Sequence, residues 1–247
     1  GNTEEIISAY HQAKDKGAKI CCITSGGKIR FLSDTNGDDL ALLPNHIDSP
    51  RANIGYSVVQ LLFVLESYGF ISDSFKIELQ NTIELLESDQ DNIQKLAKEI
   101  AQEYKDKLPI LYSDDRFYSV AIRNKQQINE NSKHICTANK FPEFNHNELV
   151  GWENPKKIYH DSVVTYLMTE FDHPRVELRM NICKTIFEKQ GAKVIEVKAK
   201  GTSFIEQVYY IIHLFDFVSI DLADINNVEA APVEIIDYLK ESLDKIG

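Results

Sequence analysis

Apolar residues recur along this chain at two spacings, and each spacing predicts a different element. In residues 3–16, TEEIISAYHQAKDK, the positions Ile6, Ile7, Tyr10 and Ala13 fall on one helical face, and Gly17 supplies a stop. KICCIT follows as an apolar run of strand length and ends at Ser25-Gly26-Gly27. A second glycine-containing loop, TNGDD, leads through ALLPNHIDSPR to an apolar helix around GYSVVQLLFVLESYGF. Helix, strand, loop and helix in succession predict parallel α/β layers.

From Ser74 to Lys107 the spacing is helical, with Ile93, Leu96, Ile100 and Tyr104 as one stripe and charged residues opposite, as expected of a connector between two halves. Beyond it, PILYS, VVTYLMT (163–169) and KVIEVKA (193–199) read as buried strands, separated by helical patterns at Arg175–Lys189 and Ser203–Phe217. PVEIIDYLKESL predicts a closing helix with Pro232 in its first turn and Val233, Ile236 and Leu239 on one face. No short-period repeat or low-complexity tract interrupts this order.

Composition narrows the class without naming a chemistry. A chain of 247 residues, 43% hydrophobic and 26% charged, can bury a sizeable core. Its net charge of -11 argues against broad binding to nucleic acid or anionic membrane and leaves room only for a focused anion site. No run approaches 18 apolar residues, so no membrane span is expected. Cys21 and Cys22 are adjacent while Cys136 and Cys183 stand alone, a pattern of reduced thiols in a cytoplasmic protein rather than of a disulfide framework.

Several stretches offer chemistry. In GNTEE, glycine permits close backbone approach, Thr3 offers a hydroxyl and a helix follows, so free N–H groups and the positive end of the dipole can hold a phosphate. The plain structural reading of the same five residues is a Thr3 N-cap with Glu4 and Glu5 in the first turn. In FPEFNHNELVGW, Glu148 is either an N-terminal helix residue or a carboxylate that serves as general base. His173 in FDHPR lies in a loop after a strand and before a helix, a usual place for catalytic groups, and equally a place for a solvated histidine. Arg51 in SPRANIGY can stabilise an oxyanion or phosphate, or simply face solvent. Lys240 lies on the closing helix, where most lysines are solvated. His146 and Glu148, with His134, His160 or His173, raise the idea of a metal site; no ligand spacing supports it, and none is expected.

Taken in order, GNTEE, ITSGG, SPRANIGY, NENSKH, FPEFNHNELVGW, DHPRVELR, KGTSFIEQVYYIIHLFDFVSIDLA and APVEIIDYLK resemble the bifunctional phosphoglucose/phosphomannose isomerases of bacteria and archaea. The resemblance runs through essentially the whole chain. It implies an α/β fold of two sugar isomerase (SIS) domains, doubly wound, with parallel sheets flanked by helices and the first domain incomplete. Residues 1–75 would then be the remainder of the N-terminal SIS domain, 76–107 the helical connection and 108–247 the C-terminal SIS domain. The family's phosphate loop reads Ser-x-Ser-Gly-Asn-Thr-Glu-Glu, and this chain starts at that glycine, so the resemblance implies a native protein that extends upstream.

It also implies roles. Thr3, with Gly1 and Asn2, would bind the substrate phosphate; Arg51 would stabilise the enediolate; Glu148 would be the base; Lys240 would assist ring opening. The ring-opening histidine is assigned to His173, with His160 as the alternative, and would come from the partner subunit, so that a homodimer shares each active site. Glucose 6-phosphate and fructose 6-phosphate would interconvert through a cis-enediol with no cofactor and no metal. Dual-specificity members carry a threonine near the start of the last helix; AAPVEII has none, which leaves mannose 6-phosphate as an open substrate. The competing reading is a non-catalytic regulator that binds sugar phosphates on the same fold.

Overall fold

The computed structural model describes residues 1–45 and 49–245; residues 46–48 of the loop expected before Arg51, and the last two residues of the expected second domain, lie outside them. The chain divides into two compact units, Gly1–Lys76 and Ile77–Gly247.

In the first unit the elements are α1 (Glu4–Asp15), β1 (Cys21–Thr24), α2 (Gly27–Asn36), β2 (Asp39–Leu42) and α3 (Ile54–Ser67). β1 and β2 pair in parallel, with Cys21 opposite Asp39 and Thr24 opposite Leu42. Tyr10, Cys22 and Ile29 form the buried centre, edged by Ile7, Ile20, Leu32 and Leu40. Tyr10 donates its hydroxyl to Asp38, which also receives Lys14 at 2.9 Å. The loop expected at TNGDD is only a turn: α2 ends at Asn36, Gly37 caps it in the left-handed region (φ 66°), and Asp39 already starts β2. β2 escapes a pattern search because it is four residues long and none of them is buried.

In the second unit α4 (Phe75–Ser88, starting two residues before the boundary) and α5 (Gln90–Tyr104) lead to β3 (Leu108–Asp114), α6 (Tyr118–Ser132), β4 (Thr137–Phe141), α7 (Glu148–Gly151) and α8 (Lys157–His160). β5 (Ser162–Met168), α9 (Pro174–Gln190), β6 (Lys193–Lys198), α10 (Phe204–Ile225) and α11 (Glu234–Asp244) complete it. The sheet is four-stranded and parallel, in the order β4-β3-β5-β6. Both faces are covered, which is why β3 and β5 read as unbroken apolar runs. One face carries Ile110, Tyr112, Val164 and Tyr166, packed with Phe144, Trp152, Tyr159, Met180 and Phe187. On the other face Tyr104 of α5 reaches Thr165 through a 2.7 Å hydroxyl contact.

One expectation changes here, and one helix goes beyond the sequence reading. The stretch 76–107 splits at Asp89, and α5 is built into the second unit, with Ile93, Ala97, Ile100, Ala101 and Tyr104 buried. α6 is a full helix although its last half, QINENS, shows no apolar stripe. Its buried face, which holds Ile128, is otherwise polar in this half: Gln127 donates to Asp216 at 2.9 Å, Asn131 to the Ser219 hydroxyl at 2.9 Å and Ser132 to the Ser219 carbonyl at 2.7 Å. Buried groups satisfied in this way fix a helix without hydrophobic periodicity. All four cysteines are free thiols, three of them buried.

Candidate active site

Glu148 opens α7, in the turn that follows the carboxyl end of β4. Asn147 holds the helix start by accepting the Glu148 N–H at 2.6 Å. The Glu148 carboxylate, half-buried, receives one donor on each oxygen: the Tyr112 hydroxyl on Oε1 and the Asn139 amide on Oε2 at 2.6 Å. Tyr112 and Asn139 are partners in the β3–β4 register, and in a parallel ladder paired side chains stand on the same face. Tyr112 is fully buried, its ring stacked on Phe144 with centroids 4.5 Å apart, and Trp152 donates its indole N–H to the Tyr112 oxygen at 3.3 Å. Burial first, and then the adjacent Glu148 charge, push the Tyr112 phenol far above its ordinary range, so it stays a donor.

Two positions beyond Tyr112, on the same face of β3, Asp114 ends the strand and is also buried. It accepts the His173 main-chain N–H at 3.2 Å and that of Arg116 at 2.9 Å. His173, an exposed residue, is the N-cap of α9: its Nδ1 accepts the Arg175 N–H at 3.1 Å, which leaves Nε2 outside the cap. Beside it, burial raises the pKa of Asp172, against the bonds it accepts from Thr169.

One strand thus serves both candidates, Tyr112 for Glu148 and Asp114 for His173, and both lie beyond carboxyl ends of strands, where open parallel sheets build their sites. His160 does not share that edge. It closes α8 ahead of the first residue of β5, and its ring lies against Gly191, where an added Cβ would stand 2.3 Å from the ring. Lys240 is exposed on α11 and is bonded to neither Glu148 nor His173.

In the first unit, Gly1 and Asn2 brace α2. The Gly1 carbonyl accepts the Ile29 N–H at 3.0 Å and Asn2 Oδ1 accepts the Lys28 N–H at 2.9 Å. The two turns approach so closely that a Cβ on Gly1 would lie 1.8 Å from the Gly26 carbonyl oxygen. Thr3 departs from the plain reading: it occupies the N-cap position of α1 in extended conformation, but its hydroxyl caps nothing. The first-turn N–H groups of α1 therefore have no side-chain cap, while two of those of α2, on Lys28 and Ile29, are already occupied. Arg51 is half-buried in the 3-10 turn Pro50–Asn53 that leads into α3.

α10 treats its N-terminus differently. Ser203 accepts the Glu206 N–H at 3.2 Å, and the buried Glu206 carboxylate accepts the Thr202 N–H at 3.0 Å and its hydroxyl at 3.2 Å. That capping box places an internal anion where an external one would otherwise bind. Among the described residues no three His, Cys, Asp or Glu side chains are grouped to hold a metal ion, and no helix is long and apolar enough to cross a membrane.

A parallel α/β unit with candidate groups beyond its strand ends defines the class, an open doubly wound α/β domain, and the family match makes it a sugar isomerase (SIS) domain. The family described as the bacterial phospho-glucose isomerase C-terminal SIS domain matches residues 93–243. A bifunctional phosphoglucose/phosphomannose isomerase of Aquifex aeolicus is 35% identical over 245 residues, 99% of this chain and 74% of its own length. Its namesake in Caldicellulosiruptor bescii is 36% identical over 254 residues, covering 100% of this chain and 74% of its own. A hypothetical protein of Thermus thermophilus has a solved structure that superposes with a TM-score of 0.76 at 12% identity, over 99% of this chain and 69% of its own, which shows the shared fold. The chain belongs to the bifunctional phosphoglucose/phosphomannose isomerase family.

Proposed function

We propose that the protein is a phosphosugar isomerase that interconverts glucose 6-phosphate and fructose 6-phosphate, with Glu148 as the base. Glu148 takes the C2 hydrogen of the open-chain aldose as a proton, the released electron pair forms the C1–C2 double bond of a cis-enediol, and O1 gains a proton. Return of a proton to C1, with loss of the proton on O2, completes the ketose. Arg51 offsets the negative charge that develops on the enediolate oxygens. Thr3 and the uncapped first turn of α1 take the phosphate, and His173 and Lys240 open the ring.

The observation that carries this reading is the double anchoring of Glu148 at the edge of the sheet. A base that serves two adjacent carbons has to hold one orientation, and two donors from neighbouring strands supply it. Glu148→Gln removes the base with little change in shape. Turnover of glucose 6-phosphate is expected to fall by roughly 10²–10⁴-fold while the sugar phosphate still binds. Full turnover by this variant would sink the assignment.

Mannose 6-phosphate is a second substrate on this reading, because the relatives from Aquifex aeolicus and Caldicellulosiruptor bescii carry both activities in their names. Assaying both sugars with one preparation decides it. We place His173 in the partner's site of a homodimer. Inactive Glu148→Gln and His173→Ala proteins, unfolded and refolded together, would then regain about a quarter of wild-type activity through hybrid pairs with one intact site; no recovery would put both groups in one chain's site.

A further inference from the structure

The donors on Glu148 themselves have a role beyond anchoring a helix start. We infer that Tyr112 and Asn139 are positioning residues that hold the Glu148 carboxylate in a single orientation while a proton passes between two carbons. This inference rests on Glu148 being the base, as proposed above.

Three observations converge. Each carboxylate oxygen has its own donor, so rotating the carboxylate group out of that plane breaks both bonds at once. The donors come from adjacent strands in register, and β3 is a central strand, so their separation is set by the sheet and not by a loop. The direction of the tyrosine proton is also fixed. Trp152 donates to the Tyr112 oxygen at 3.3 Å, which leaves the hydroxyl hydrogen for Glu148, and the Tyr112 ring packs against both Phe144 and Phe187.

The other titratable groups nearby do not compete for that carboxylate. Glu143 on the preceding 3-10 turn accepts the Asn147 amide at 3.2 Å, and His146 on the same turn is exposed. Lys140 on β4 is directed to Asp115, the Tyr159 hydroxyl on α8 goes to the Gly151 carbonyl, and Tyr166 on β5 donates to the Met180 carbonyl. Each carboxylate oxygen keeps a lone pair beyond the one its donor uses, and that pair takes the proton.

The test follows the fate of the hydrogen. Glucose 6-phosphate carrying deuterium at C2 is converted by wild type, Tyr112→Phe and Asn139→Ala, and the deuterium retained at C1 of fructose 6-phosphate is measured against that lost to solvent. A loosened carboxylate exchanges its proton before delivering it. Tyr112→Phe is therefore expected to lower kcat about 10- to 100-fold, leave KM for glucose 6-phosphate within about twofold, and reduce the retained fraction below that of wild type. A fall in the amount of folded protein would lower apparent kcat without moving the retained fraction. Asn139→Ala, on an edge strand, repeats the measurement without touching the aromatic core. Unchanged kcat and unchanged retention in both variants, with Glu148→Gln inactive, would overturn this inference and leave the proposed base in place. Full activity of Glu148→Gln would remove both.

Discussion

Asn2 Oδ1 accepts the main-chain N–H of Lys28 at 2.9 Å, so the residue that precedes Thr3 caps α2 instead of its own helix. Two neighbouring helix starts therefore differ: the Lys28 and Ile29 N–H groups of α2 are bonded from within the protein, while the α1 N-cap residue supplies no side-chain bond. Asn2→Ala should lower stability by about 1 kcal/mol, the usual value of a lost cap, and raise KM for glucose 6-phosphate severalfold as the turn loosens. Thr3→Val, which removes a hydroxyl that no group among the described residues uses, should raise KM without lowering the unfolding midpoint. Steady-state kinetics together with thermal unfolding check both variants. A stability loss in Thr3→Val with KM unchanged would restore the plain cap.

His173 carries a structural duty that must be separated from a chemical one. Its Nδ1 caps α9, and a lost cap takes about 1 kcal/mol of stability whatever the ring does elsewhere. His173→Asn restores a capping acceptor but has no exchangeable ring nitrogen at the Nε2 position. It is expected to match wild type in unfolding midpoint and to lose at least tenfold in kcat on glucose 6-phosphate, which is mostly cyclic. His160→Ala, at the opposite edge of the sheet, should leave kcat unchanged. If His160→Ala were the inactive variant and His173→Asn active, the ring-opening role would pass to His160.

Legibility in the sequence followed apolar patterning. α1, β1, β3, β5, β6, α9 and most of α10 show in the pattern because each buries an apolar face or, for β3 and β5, two. β4 does not. TANKF is a polar edge strand with one buried residue, Phe141, and it carries Asn139. For the same reason the donors on Glu148 stayed out of sight. Tyr112 reads as a core residue of PILYS, and Asn139 reads as part of a loop, until the register sets them side by side. The turn Asn-His-Asn-Glu was visible as chemistry because it concentrates polar groups between breaks; what fixes its carboxylate is a long-range pairing that no local spacing encodes.

Glu206 offers a prediction in pH. Burial raises its pKa, but the bonds from Thr202 and Ser203 outweigh burial, so the carboxyl lies below the usual glutamate value. A folded-state pKa below the unfolded value of about 4.3 means that the unfolded chain binds more protons in this range. The stabilisation is therefore complete above that value and is lost as pH falls through the lower, folded one. Glu206→Gln keeps the shape and removes the charge. At pH 7 it should be less stable than wild type by about 1.5–3 kcal/mol, the contribution of hydrogen bonds to a charged group. The gap should narrow once pH drops below about 4 and close at lower values. Urea unfolding midpoints of both proteins between pH 3 and 8 measure it. A gap that stays constant to pH 3 would assign the contribution to packing, and any loss of isomerase activity at pH 7 beyond the loss of folded protein would show that α10's internal anion also shapes the site.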